Sequence, residues 1–159
     1  MPRMIVRACR WRKPCAALAL ALAATHAHAV FVVTEPWVRP AAAGAATEAY
    51  MELASSEDAT LVAVRTPAAG RAAIVDARGR PLAKDGVPLR AGTRVLLAPG
   101  AVRVSLKPLA QRLRPGDRLP MTLVIRGPDG AVQDIDVDAE VRPRSPTDDH
   151  RGHAHAHPH

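Results

Sequence analysis

The stretch MTLVIRGPDGAVQDIDVDAEV, residues 121–141, decides the fold class of this chain. Residues 132–141 alternate apolar side chains with acidic ones, a period of two that indicates a strand with one face in water. Residues 121–126 alternate in the same way. Between them, Gly127-Pro128-Asp129-Gly130 is a strong turn signal, so the two runs are predicted to pair as an antiparallel hairpin.

The same patterns recur upstream. Residues 93–97 and 102–106 flank an Ala98-Pro99-Gly100 turn signal and are predicted to form a second hairpin. Further strands are predicted at residues 30–34, 48–54, 60–65 and 71–76. The Ala-rich residues 41–46 are predicted to form a loop because Pro40 precedes them and Gly44 interrupts them, whereas residues 109–113 suit one helical turn. The pattern favours an all-β fold, an antiparallel β-sandwich.

The N-terminus has the pattern of a secretory signal. Residues 1–14 carry five basic and no acidic residues, residues 15–24 are an unbroken apolar run, and Ala27-His28-Ala29 fits a small-x-small cleavage site. We therefore expect residues 1–29 to be a cleavable signal peptide and the protein to be periplasmic. The apolar run is about half the length that spans a bilayer, so a retained anchor is the less favoured alternative. Neither Cys9 nor Cys15 follows a Leu-x-small triplet, which argues against a lipoprotein.

Removal of the signal changes the charge balance. The chain has 22 basic and 15 acidic residues, a net charge of +7, but five of the basic residues lie in the signal. The remaining net charge of +2 gives no support to a nucleic-acid partner. Both cysteines also leave with the signal, so a single domain over residues 30–141 must be stabilised by its core, without disulfides.

All five histidines of the mature chain lie in its last ten residues. Imidazole is the commonest neutral metal ligand and suits copper, zinc or nickel. The polar segment 142–159 has too few apolar residues to fold alone, so we expect a disordered linker and tail that binds metal through exchanging histidine pairs. Two alternatives are a tail without function and an affinity tag, although tags usually have consecutive histidines. The predicted ligands are His150, His153, His155, His157 and His159.

The domain itself offers few groups with chemical function. It contains no histidine, so a Ser-His-Asp or Cys-His site would have to borrow one from the tail, and we do not expect an enzyme. Met51 and Met121 are candidate thioether ligands for Cu(I), but each lies in a strand-like run that favours a place in the core. Trp37 and Tyr50 are expected to be the main aromatic residues of that core.

A row of acidic side chains alternates along the last predicted strand. These residues are candidates for calcium ligands, but the run lacks the glycine of a calcium loop, and its period favours a solvated strand face. We call them the acidic stripe: Asp134, Asp136, Asp138 and Glu140.

An ordered set of short motifs resembles the PCu(A)C family of periplasmic copper chaperones. Each motif is weak alone, but together they cover most of residues 35–141 in the order and with the spacing of the family. The motifs are Trp37-Val38-Arg39, Ala49-Tyr50-Met51, the strand 61–67, Val87-Pro88-Leu89-Arg90-Ala91-Gly92, Leu97-Ala98-Pro99-Gly100 with 102–106, Leu109 to Asp117, and Leu119-Pro120-Met121-Thr122-Leu123.

The resemblance implies a cupredoxin-like β-sandwich and a copper site made of a late His-x-Met pair with a His and a Met from the middle of the chain. Arg103 stands at the position of the late His and Ser105 at that of its Met, while the middle positions fall near Val75 and near Arg80 or Pro81. Guanidinium stays protonated and does not ligate metals, and a hydroxyl suits Cu(I) poorly. The site of the family cannot be carried over.

The combined prediction is a copper-chaperone-like protein that binds or buffers copper mainly through its tail. In the family, the partner is the cytochrome oxidase copper centre or its assembly factors, and the resemblance implies the same class of partner here. The alternative is a β-sandwich interaction module without metal, in which Arg103 and Lys107 belong to a basic surface. The sequence gives no oligomeric state.

Overall fold

The computed structural model describes residues 29–82 and 85–145. The predicted signal peptide, apart from Ala29, and the five histidines of the tail lie outside the described residues. Nine strands occupy the described part: β1 Phe31–Val38, β2 Thr47–Ser55, β3 Ala59–Arg65, β4 Ala72–Val75, β5 Val87–Leu89, β6 Arg94–Leu97, β7 Arg103–Leu106, β8 Arg118–Arg126 and β9 Val132–Val141.

These strands form one curled sheet in the order β4-β7-β2-β1-β9-β8-β3-β5, and β6 also pairs with β2. The curl brings β4, at one end of the order, into contact with β3 near the other end. The predicted all-β fold is therefore confirmed. One pairing departs from the antiparallel expectation, since β1 and β9 run parallel, with Trp37 opposite Glu140 and Val38 opposite Val141.

The hairpin that decided the fold class is present as β8 and β9. The two strands pair in continuous antiparallel register from Arg118 opposite Glu140 to Arg126 opposite Val132. Their turn is closed by a hydrogen bond from the Gly127 amide to the Ala131 carbonyl at 2.8 Å. Gly130 adopts a φ of +82°, a left-handed conformation that favours glycine.

The second predicted hairpin is wrong. Strands β6 and β7 both pair antiparallel with β2, Leu97 opposite Met51 and Val104 opposite Ala49, so they run in the same direction. Pro99 and Gly100 therefore lie in a short loop that joins two strands paired with β2, and not in a reversal of the chain. The helical turn suggested for residues 109–113 is also wrong, because Leu109 and Leu113 form isolated bridges with Ala69 and Ala41.

The strand β2 separates two buried clusters. Ala49, Met51 and Leu53 point into the main core, which also contains Met121, and both methionines are only 2% exposed. They are core residues rather than accessible metal ligands. Tyr50 points to the opposite face of the sheet, where it packs on Trp37. The two aromatic residues are buried as expected, but in this second cluster rather than in the main core.

The acidic stripe lies on the outer face of β9 and is solvated, as the period of two indicated. Asp134 pairs with Arg65 of β3 at 3.1 Å, and Asp136 accepts a hydrogen bond of 2.7 Å from the Thr122 hydroxyl of β8. Within residues 29–82 and 85–145, no group of three or more His, Cys, Asp or Glu side chains is arranged to hold a metal ion. The described residues contain no helix that is long and apolar enough to cross a membrane.

Candidate functional site

The positions that the resemblance to PCu(A)C proteins assigns to copper ligands lie close together on β4, β7 and the loop after β4. Val75 lies opposite Arg103 across these strands and also forms a bridge with Pro81. Ser105 lies between Ala73 of β4 and Glu48 of β2. The fold therefore brings the mapped positions together, although they are distant in sequence. The side chains at these positions are not of the types that ligate copper.

Arg103 occupies this place and is held by a carboxylate. Its Nε donates to Glu48 Oε1 at 2.5 Å, and only 14% of the arginine side chain is exposed. Its Nη1 donates to the backbone carbonyls of Asp76 at 2.8 Å and Ala101 at 3.1 Å, with a longer contact of 3.5 Å to Ala77. One guanidinium thus connects β2, the loop after β4 and the loop before β7.

This environment corrects the expectation that Arg103 contributes to a basic surface. Its charge is compensated by Glu48 and mostly shielded from water, whereas Lys107 is exposed. Glu48 is a partner that the sequence analysis does not predict. Its side of the sheet could have been predicted, because alternation along β2 places Glu48 on the face opposite Ala49 and Met51.

The conformation of the loop after β4, which contacts Arg103, is fixed by hydrogen bonds within the loop. The Asp76 carboxylate accepts hydrogen bonds from the backbone amides of Arg78 and Arg80, both at 2.9 Å, and from the Arg80 guanidinium at 2.9 and 3.0 Å. These bonds hold the pKa of the Asp76 carboxyl below its ordinary value, and the bond from the Arg80 amide has the largest effect. Gly79 has a φ of +77°, and a side chain there would begin 3.7 Å from Arg103 Nη2.

Glu48 also connects Arg103 to the aromatic pair. The Tyr50 hydroxyl donates to Glu48 Oε2 at 2.5 Å, and the Tyr50 and Trp37 rings lie 4.4 Å apart between centroids. The Arg39 guanidinium lies 5.5 Å from the centre of the Tyr50 ring, a cation–π contact. The cluster of Arg103, Glu48, Tyr50, Trp37 and Arg39, which we call the arginine cluster, is continuous across β7, β2 and β1.

The electrostatics of the cluster follow from these contacts. Burial of the Glu48 carboxyl raises its pKa, but the hydrogen bonds from Tyr50 and Arg103 and the charges of Arg103 and Arg39 outweigh burial and lower it overall. Burial, together with the hydrogen bond to Glu48 and its negative charge, raises the pKa of Tyr50 far above its ordinary value of 10.0. The carboxylate and the neutral phenol are therefore the stable forms in the folded protein.

Tyr50 provides a direct test because it is the only tyrosine of the chain. Phenolate forms freely in the unfolded chain above about pH 10, whereas folding suppresses it, so stability is present below that pH and falls as the pH rises further. In an alkaline titration, we expect phenolate absorbance to appear only together with unfolding, as followed by circular dichroism.

The matched variant for this titration is Glu48→Gln, which removes the negative charge beside the phenol. Phenolate absorbance should then appear at a lower pH than in the parent protein. Phenolate formation near pH 10 in the folded parent would contradict the contacts described for Tyr50.

The arginine cluster does not fit a copper ion. The protonated guanidinium of Arg103 cannot ligate a metal and would repel a cation, and it holds the Glu48 carboxylate and three backbone carbonyls as its hydrogen-bond acceptors. What the arrangement does provide is a cross-link that fixes both loops on β2. At the positions that the resemblance assigns to metal ligands, the structure has a salt bridge between Arg103 and Glu48.

Comparison with known proteins agrees with this fold. The family model described as "Putative lipoprotein LpqE-like" matches residues 31–141, which is most of the chain. The chain belongs to the LpqE-like family. Residues 31–141 of this LpqE-like protein span all nine described strands. A search of curated proteins finds no match.

Solved structures of PCuAC domains are similar to the LpqE-like domain. The apo PCuAC domain from PmoF1 is 28% identical, with a TM-score of 0.60 over 72% of this chain and 94% of that domain. The copper-bound PCuAC domain from PmoF2 is 22% identical, with a TM-score of 0.58 over 74% and 100% of the two chains. The Cu(I) form of DR1885 from Deinococcus radiodurans is 23% identical, with a TM-score of 0.52 over 70% and 79%. The resemblance to PCu(A)C proteins is thereby confirmed at the level of the fold.

Proposed function

We propose that this LpqE-like protein is an exported copper-handling protein that binds copper through the imidazoles of its C-terminal tail. The predicted ligands are the five histidines of residues 150–159, which lie outside the described residues. Zinc and nickel are other metals that such a tail accepts. The folded domain then serves as a scaffold for a partner in copper handling, of which a cytochrome oxidase copper centre or its assembly factors are one example.

The observation that carries this proposal is the occupation of the ligand positions by Arg103 and its partners. The fold is that of the copper-bound PCuAC domain, which supports a role as scaffold, and the salt bridge between Arg103 and Glu48 at the mapped ligand positions supports ligands outside the domain. The mature chain has no cysteine, and Met51 and Met121 are buried in the core. Among imidazole, thiolate and thioether side chains, only the imidazoles of the tail then remain as accessible ligands.

Export is supported by the sequence pattern of residues 1–29 and by the family description, which refers to lipoproteins. The two cysteines of this chain lack the Leu-x-small triplet, so we propose release into the periplasm by signal cleavage rather than lipid attachment. Mass spectrometry of the protein recovered from the periplasm distinguishes the two. A mass that corresponds to a chain beginning at Val30 agrees with the proposal, and the mass of a chain with a lipid-modified cysteine contradicts it.

Copper binding is tested by comparing the mature protein with a variant that ends at Arg144. Strand β9 ends at Val141, and the bond from the Arg142 amide to the Val38 carbonyl remains in the shortened chain, so the domain should keep its fold. We expect the truncation to weaken copper binding at least about tenfold in a titration with a competing chelator.

Thermal unfolding of both forms is the control, because an unchanged midpoint shows that only the tail was lost. Equal copper binding by the two forms would contradict the assignment of the ligands to the tail. Absence of binding by both would favour the alternative of an interaction module without metal.

A further inference from the structure

A shallow groove of about 580 Å³ lies at the end of β7 that is remote from Arg103. Three segments meet there: the small-residue loop before β2, the residues before β4 and the residues after β7. The groove is lined by Gly44, Ala46, Gly70, Arg71, Lys107 and Pro108, all of which are exposed.

The three segments are held together by backbone hydrogen bonds. The Gly70 amide donates to the Pro108 carbonyl and the Lys107 amide to the Arg71 carbonyl, both at 2.9 Å. The loop before β2 is joined in the same way, since the Gly44 amide donates to the Leu109 carbonyl at 2.9 Å. The groove is thus formed before any ligand arrives, which lowers the cost of binding.

The lining of the groove combines small residues with cationic ones. Four of the six lining residues are glycine, alanine or proline, which have almost no side-chain entropy to lose when they are covered. Arg71 and Lys107 provide two positive charges, and no acidic residue lines the groove. The ion pairs of the described residues involve Arg65, Arg80, Arg94, Arg103 and Arg142, and neither Arg71 nor Lys107 takes part in one.

We propose that this groove, which we call the cationic groove, binds an extended acidic segment of a partner protein. Two positive charges without an acidic neighbour in the lining complement a segment with several carboxylates, and the small lining residues leave room for an extended backbone. No aromatic side chain lines the groove to stack a nucleotide base, which disfavours a single-stranded nucleic acid. The proposal does not depend on metal binding by the tail.

The test is a titration of the isotopically labelled mature protein, followed by the chemical shifts of its backbone amides. The probe is an eight-residue peptide of alternating glutamate and alanine, and the matched probe has glutamine in place of glutamate. The acidic peptide should shift the amides of Gly44, Gly70 and Lys107, and the glutamine peptide should not. The variants Arg71→Glu and Lys107→Glu should each weaken the affinity about tenfold.

Arg126→Glu is the control variant, because it makes the same change of charge at an exposed residue that does not line the groove. The control should bind the acidic peptide as the parent does. Equal weakening by Arg126→Glu would show a general charge effect and overturn the proposal. Equal shifts with the glutamine peptide, the same shifts with inorganic phosphate alone, or a response to anionic lipid vesicles but not to the peptide would also overturn it.

Discussion

Replacement of Arg103 by methionine should lower the free energy of unfolding by about 2 to 3 kcal/mol. The methionine fills similar volume but leaves the Glu48 carboxylate without its cation. It also removes the guanidinium donor from the carbonyls of Asp76 and Ala101, of which the Asp76 carbonyl keeps its bond from the Gly79 amide. Loss of one partner is costly for a buried pair, and the value is reduced here because 32% of the Glu48 side chain is exposed. Urea denaturation followed by circular dichroism measures the change.

The matched control is Arg65→Met, which breaks the ion pair with Asp134 on the outer face of the sheet. Both side chains of that pair are at least half exposed, so its loss should cost less than about 1 kcal/mol. The double variant Glu48→Gln with Arg103→Met should be less destabilised than the sum of the two single variants, since the pair acts as one unit. Equal, small effects of Arg103→Met and Arg65→Met would show that the cross-link does not stabilise the domain.

Replacement of all five tail histidines by glutamine should abolish the copper binding of the mature protein and leave its stability unchanged. This variant keeps the length of the tail and the two neighbouring acids, Asp148 and Asp149, and removes only the imidazoles. It therefore separates ligation by imidazole from ligation by carboxylates, which the truncation at Arg144 cannot do. Isothermal titration with copper measures the loss, and a denaturation curve like that of the parent is the control.

A second variant tests whether the domain has kept a hidden capacity for copper. Arg103→His with Ser105→Met restores the two late residues of the PCu(A)C pattern in a chain whose tail histidines are glutamine. Val75 and Pro81 still supply no ligand at this place, so we expect no tight copper binding. Tight copper binding by this variant would contradict this expectation and would show that two restored side chains are enough for the domain to bind copper.

The local part of the fold could be predicted from the sequence because alternation and turn residues are local signals. The hairpin of β8 and β9 is an example, since its register follows from two alternating runs and one turn. The strand β5 was missed because it has three residues, of which Pro88 is one. The parallel pairing of β1 with β9 joins the two ends of the domain, and no local pattern specifies such a contact.

The candidate site could be predicted only in its positions. The resemblance to PCu(A)C proteins placed Arg103 and Ser105 at ligand positions, and the structure places Arg103 opposite Val75, which in turn forms a bridge with Pro81. The partners of Arg103 could not be deduced in the same way, because Glu48 is 55 residues away in sequence and the other acceptors are backbone carbonyls of two loops. Alternation indicated which face Glu48 occupies, but the choice of its partner depends on the order of strands.

The central claim is that copper, when bound, is held by imidazoles of the tail and not by a thioether site in the domain. X-ray absorption at the copper edge tests it most directly, on the copper-loaded protein that begins at residue 30. The account predicts a first shell of nitrogen and oxygen only, with the scattering pattern of imidazole rings. A sulfur atom in the first shell would contradict it, because the mature chain has no cysteine and its two methionines, Met51 and Met121, lie in the core.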